Sequence, residues 1–183
     1  MPRPQSTTKI PLQLDTSSWG LPDAQRAAAQ ILARPELLKP LLRALFSGNS
    51  TLRHRASDTA RRVTEKHPEL LTPHTDRLLG LFSESANDNW RTRAHLGLIV
   101  ARVAQSRAHR IRAAGLLRPL YYDPSNVVRC TAVEGLGLLA HREPSIRAQV
   151  EPLLEEALAT GTLAMQCRAR YALVALDVRH AIG

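Results

Sequence analysis

Aromatic side chains make up only 4% of this 183-residue chain, and lysine supplies just three of its 25 cations. Two cysteines are too few for a disulfide framework. No apolar run reaches the ~18 residues needed to span a bilayer. The opening stretch from Met1 to Lys9 lacks the apolar centre of a secretory leader. These absences point to a cytoplasmic protein without a membrane partner. Gly-rich phosphate loops, Gly-x-Ser-x-Gly elbows and His-Glu-x-x-His motifs are also missing. The histidines show no ligand spacing: His67 and His74 straddle Pro68 and Pro73, while His54, His95, His109, His141 and His180 stand alone. No catalytic residue, cofactor or metal is expected, so the chain reads as a non-enzyme. One further absence is local. Between Asn89 and Tyr122 there is no Asp or Glu, although seven arginines fall there.

What the chain does contain is repetition. Leu52-Arg53-His54-Arg55-Ala56, Trp90-Arg91-Thr92-Arg93-Ala94, Val128-Arg129-Cys130-Thr131-Ala132 and Met165-Gln166-Cys167-Arg168-Ala169 share a large apolar residue, a polar one, and Ala four positions on. The alanines are 38, 38 and 37 residues apart. A period of this size marks stacked supersecondary units, each burying its apolar face on its neighbours.

Residues 1–21, with Pro2, Pro4 and Pro11, read as an extended arm in which Ile10, Leu12, Leu14 and Trp19 have apolar surface to bury. Pro22-Asp23 opens an Ala-rich helix to Ala33. Helix pairs follow. First helices are expected at 35–47, 68–83, 107–121 and 144–159, and second helices, carrying the repeated sentence, at 50–66, 88–104, 126–140 and 162–176. Pro40, Pro73, Pro119 and Pro152 fall inside first helices and are expected to bend them or split off a turn. Short polar links such as Gly48-Asn49-Ser50 and Asp123-Pro124-Ser125 make the two helices of a pair antiparallel. The repeats span 22–178, with a tail at 179–183. Cys130 and Cys167 occupy one column of adjacent repeats, roughly 8–10 Å apart and beyond the ~7 Å limit for a bridge, so two free, packed thiols are expected.

The run Asp123-Pro124…Val128-Arg129-Cys130-Thr131-Ala132-Val133-Glu134-Gly135-Leu136-Gly137 resembles HEAT repeats, and Lys66-His67-Pro68-Glu69-Leu70-Leu71-Thr72-Pro73 resembles the first-helix opening of armadillo- and HEAT-type scaffolds. The last copy departs from the pattern with Gln166 in place of Arg. The resemblance implies an all-α fold, a right-handed α-solenoid of about four HEAT-like helix pairs. It does not imply one activity, because such families include transport receptors, phosphatase scaffolds and DNA-repair proteins. One branch resembles DNA alkylation-repair glycosylases; no catalytic residue carries over to this chain.

Two sets of residues are candidates for binding. Arg53, Arg91 and Arg129 form one ladder, read either as a basic stripe or as ties to turn carbonyls and to Asp88 or Asp123. Arg55, Arg93 and Arg168 form a second, about 200° around the helix. The stronger candidate is the acid-free window: Arg91, Arg93, Arg102, Arg107, Arg110, Arg112 and Arg118, with Trp90 and Tyr122 beside them. Like charges this close cost a helix a few tenths of a kcal/mol each, which a polyanionic partner would offset. Aromatics next to arginine suit single-stranded nucleic acid; the competing readings are a solvated face with core aromatics and an acidic protein partner. The apolar run Tyr171–Leu176 needs covering by a second copy, another partner or the short tail. The favoured function is a protein-binding scaffold. Nucleic-acid binding through the 91–118 arginines is the alternative, and a repair glycosylase the weaker one.

Overall fold

The structure, a computed structural model, describes Leu12, Leu14 and residues 18–180. Most of the expected arm and the end of the expected tail lie outside the described residues. Among those described, the chain is all helical, with helices at Leu21–Ala33 (α1), Leu38–Leu45 (α2), Ser50–Lys66 (α3), Thr75–Glu84 (α4), Trp90–Val103 (α5), Arg107–Leu117 (α6), Asn126–Arg142 (α7), Arg147–Thr160 (α8) and Leu163–His180 (α9). α1 thus begins inside the expected arm, and α9 runs past the expected boundary at 178.

Proline explains where the first helices differ from simple rods. Lacking an N–H and clashing one turn back, it favours tight turns at helix starts. 3-10 turns at Pro35–Leu37, at Pro68–Leu70 and Thr72–His74, and at Pro144–Ile146 precede α2, α4 and α8. Pro119 ends α6, and a 3-10 turn at Arg118–Tyr122 follows. Pro40 and Pro152 stand inside α2 and α8.

The helices form two layers. α1, α3, α5, α7 and α9 pack on one another in that order; α2, α4, α6 and α8 pack on α3, α5, α7 and α9 respectively. The odd helices from α3 on open on a polar residue: the Asn49 and Asn89 side chains accept from Leu52 N and Thr92 N at 3.0 Å, and Ser125 and Thr162 hold the same place in α7 and α9. Counting from these caps aligns Arg53 with Arg93, Arg129 and Gln166, and Ala56 with Leu96, Ala132 and Ala169. This corrects the sequence register in the second copy by two residues. The repeat is Thr92-Arg93-Ala94-His95-Leu96, and the spacing between caps is 40, 36 and 37 residues. Matching on Ala94 failed because Arg occurs at both 91 and 93, while the cap, not the alanine, fixes where the helix starts.

With the register corrected, a 100° step per residue divides every odd helix into four faces. Positions three, seven and ten after the aligned Arg face the even layer and are buried: Ala56/Ala60/Val63, Leu96/Val100/Val103 and Ala132/Leu136/Leu139. Positions two and six meet the preceding odd helix. Positions one, four, eight and eleven meet the following one. Positions five, nine and twelve look away from the even layer and form an open face. Close approach between odd helices needs small residues. A Cβ on Gly135 would lie 3.4 Å from the Ala101 Cβ of α5, and one on Gly137 would lie 2.5 Å from the Ala172 Cβ of α9.

Of the expected arm, Leu14 is buried, its carbonyl accepts from Arg55 Nη1 at 2.9 Å, and the Arg55 guanidinium lies 5.9 Å from the Trp19 ring. Arg55 is therefore tied into the first repeat. Cys130 is buried and free as expected; Cys167 is free but exposed, because no odd helix follows α9 among the described residues.

Candidate functional site

The arginines at the aligned position knit one edge of the stack. Arg53 donates to the Ser47 carbonyl at 2.8 Å and forks onto Asp88, with Nε to Oδ2 at 3.0 Å and Nη2 to Oδ1 at 2.5 Å. Arg93 donates to the Asp88 carbonyl (2.6 Å) and to Asp123 Oδ2 (2.9 Å). Arg129 donates to the Asp123 carbonyl (2.8 Å) and to Asn126 Oδ1 (3.4 Å), which also accepts from Thr162 at 2.9 Å. Gln166 completes the series by donating to the Gly161 carbonyl at 2.9 Å. Each side chain thus satisfies its own turn, and Arg53 and Arg93 also grip the next. Arg53 and Arg129 are ties rather than a stripe of free charge. Arg91 is not a rung; its guanidinium lies 4.2 Å from the Trp90 ring.

The acid-free window is acid-free in sequence but not in space. Arg102 donates to the Arg61 carbonyl (2.9 Å) and to Glu134 (3.5 Å). Arg110 lies 3.1 Å from Glu143 and also donates to the Gln105 carbonyl, with Arg107 3.6 Å from the same carboxylate. The Ser145 hydroxyl, with help from Arg110, holds the Glu143 carboxyl below the usual range. Arg112 stands 3.9 Å from Asp76, and Arg118 donates to Gln149 at 2.8 Å. The expected uncompensated charge is therefore corrected: Asp76, Asp123, Glu134 and Glu143 come in from neighbouring elements. The nine candidates do not form one patch either. Trp90, Arg91, Arg93 and Tyr122 belong to the turn edge, Arg102 to the open face, and Arg107, Arg110, Arg112 and Arg118 to α6 and its end. Arg107 at 70% and Arg112 at 50% side-chain exposure keep charge available to solvent. Tyr122, 70% exposed, borders with Arg118, Pro119 and Gln149 a groove of about 380 Å³.

The open face changes character along its length. On α3, Asp58 lies 3.7 Å from Arg61, 3.2 Å from Arg62 and 3.9 Å from His95, and Arg61 lies 3.7 Å from Glu65. Glu134 on α7 then receives Arg102 of α5 and Arg168 of α9, the latter at 3.3 Å. Beyond that bridge the face becomes apolar. Leu138, Tyr171, Ala172 and Ala175, with His141 and Cys167, line a groove of about 500 Å³ between α7 and α9. Tyr171 is 75% exposed there. The His141 ring Nδ1 is held at 3.1 Å by the Ala175 carbonyl.

His54 and His95, isolated in sequence, meet across the α3–α5 contact. Their rings stack 5.6 Å apart at 16°. Burial depresses both, His95 to about 4, against the opposing pull of Asp58. Ser57 Oγ lies 3.1 Å from His95 Nδ1, so Ser57, His95 and Asp58 have the composition of a hydrolytic triad. They do not have its access: Ser57 is fully buried and its hydroxyl donates to the His54 carbonyl at 2.7 Å. The cluster is a structural seam. A signal for it existed in the sequence, since the caps Asn49 and Asn89 place His54 and His95 on facing sides of consecutive helices. Among the described residues no three His, Cys, Asp or Glu side chains converge as a metal site would require, and no helix is long and apolar enough to cross a membrane. In comparison with known proteins, no family model matches the chain and no curated protein matches it either.

Proposed function

We propose that this chain is a HEAT-like α-solenoid that acts as a non-catalytic scaffold, holding a protein partner on the open face of its odd helices. One observation carries the reading. Internal carboxylates and carbonyls occupy most of the arginines a polyanion would use, whereas the groove between α7 and α9 leaves Leu138 and Tyr171 uncovered. Exposed apolar surface in a groove, rimmed by polar groups, is what protein interfaces bury. The repeated helix pairs, the two layers and the shared cap support the solenoid reading. Nucleic-acid binding is the second reading, supported by exposed Arg107, Arg112 and Tyr122. A glycosylase reading needs a carboxylate beside an aromatic in the groove; Glu134 and Tyr171 are both there, but the Glu134 oxygens are engaged by Arg102 and Arg168.

The test pairs two measurements. Fluorescence anisotropy with labelled DNA and RNA is expected to give weak binding that disappears at physiological salt. Photocrosslinking from a reactive residue at position 171 is expected to capture discrete protein adducts that Leu138→Asp removes. Tight nucleic-acid binding at physiological salt, abolished by Arg107→Glu with Arg112→Glu, would replace the scaffold reading.

A further inference from the structure

The face that each odd helix turns toward its successor is covered in α3, α5 and α7 and open in α9. Positions one, four, eight and eleven are Ala94, Gly97, Ala101 and Ala104 in α5, and Cys130, Val133, Gly137 and Ala140 in α7, all buried. In α9 the same positions are Cys167, Arg170, Val174 and Asp177. All four are exposed, Val174 to 55%. This stripe lies opposite Ala172, the residue that packs on Gly137 of α7.

Its chemistry differs from that of the earlier seams. Where α5 and α7 offer small residues for a close-packed neighbour, α9 offers Arg170 and Asp177 seven positions apart, about 10 Å along the axis, with Val174 between them. Another helix packed as tightly as the previous ones would bury both charges, at a heavy desolvation cost unless they were paired. A helix with the same stripe running the other way supplies the pairing. In antiparallel register each cation meets the other copy's anion, twice, across an apolar centre.

We propose that α9 self-associates with α9 of a second copy of this chain. The pair is antiparallel, with its two-fold axis between Leu173 and Val174 and each Arg170 facing the other copy's Asp177. This stripe adjoins the open face at Cys167, but its pairing residues Arg170 and Asp177 do not line the groove, so Arg170→Glu tests the helix pair while Leu138→Asp tests the groove. The register puts the two Cys167 residues about 20 Å apart along the axis, so no disulfide joins the copies. A single helix pair buries less than the ~800 Å² per partner of a standard stable interface, so association is weak and depends on concentration.

Sedimentation velocity of the full chain in reducing buffer tests this. Wild type is expected to shift from the 20.2 kDa monomer toward a dimer as concentration rises. Arg170→Glu sets four like charges across the axis and is expected to weaken association about tenfold; adding Asp177→Arg to it restores the pairing with the charges exchanged. Circular dichroism on each variant confirms folding, which these exposed positions leave intact. A strict monomer at every concentration overturns the proposal. A dimer indifferent to Arg170→Glu, or not restored by the double exchange, overturns it equally.

Discussion

The α3–α5 seam and the α7–α9 seam occupy equivalent places in the stack, yet they are built from opposite chemistry. In the first, stacked His54 and His95 and buried Ser57 fill the contact, and Asp58 with Arg61 and Arg62 closes it over on the open face. In the second, Gly137 admits Ala172 at backbone-limited distance and leaves an apolar groove uncovered. The polar seam fills its contact with bonded side chains and ion pairs, Arg62 Nε alone lying 3.2 Å from Asp58 without a hydrogen bond, and presents a closed surface. A small-residue seam is tight at the helix axes and leaves space above them. One repeat unit therefore yields a closed region and a grooved region without changing the backbone plan.

The largest test of this contrast is Asp58→Asn. It strips the carboxylate shared by Arg61, Arg62 and His95, all mostly buried, and is expected to cost roughly 3 kcal/mol in urea unfolding. Tyr171→Ser, at an exposed site beside the groove, stays within ~0.5 kcal/mol. Equal losses would erase the distinction between the two regions. Acid is the second test. Burial lowers His95 to about 4 in the folded chain, against 6.5 for the free side chain. The unfolded state takes up the proton first, so this site's stabilisation is complete above pH ~6.5 and drains away as pH falls toward ~4, by at most roughly 3 kcal/mol. Comparing wild type with His95→Gln from pH 7 to 4 isolates the effect; identical slopes would mean the histidine seam does not titrate as a buried pair. The smallest effect separates the glycines. Gly137→Ala gains ~1 kcal/mol of helix propensity but meets the Ala172 Cβ at 2.5 Å, for a net loss of ~1–2 kcal/mol. Gly115→Ala, with open space around it, gains up to ~1 kcal/mol, and thermal melts of the two should move in opposite directions.

Much of this was legible in the sequence, and the failures have definite causes. Helix positions followed from leucine periodicity and proline, because both act within one turn. The ties made by Arg53 and Arg129 could be anticipated because turn carbonyls and Asp88 or Asp123 lie at repeat-spaced positions. The partners of Arg102, Arg110 and Arg112 could not, since Glu134, Glu143 and Asp76 are about 30 residues away and only the packing of odd on odd and even on even helices brings them near. The second copy was read two residues out because identity at Ala94 outweighed the Asn89 cap. The same slip hid the His54–His95 stack, because only the Asn89 cap places the two rings at positions one and two after the aligned arginines. Cys167 was expected to pack like Cys130 because column membership alone does not say whether a neighbour exists.

The arginine-tied edge also bears on how such a chain can change in length. Asp88 takes Arg53 on its carboxylate and Arg93 on its carbonyl; Asp123 takes Arg93 and Arg129 in the same two ways. Excising residues 89–124 would remove one donor and one acceptor together and bring Arg129 to the Asp88 carbonyl in the place Arg93 held. A cut that removed a donor without an acceptor would strand a guanidinium or a carboxylate. The edge acts as a reading frame for whole repeats: gain or loss of a unit is silent along it only when one arginine and one aspartate go together.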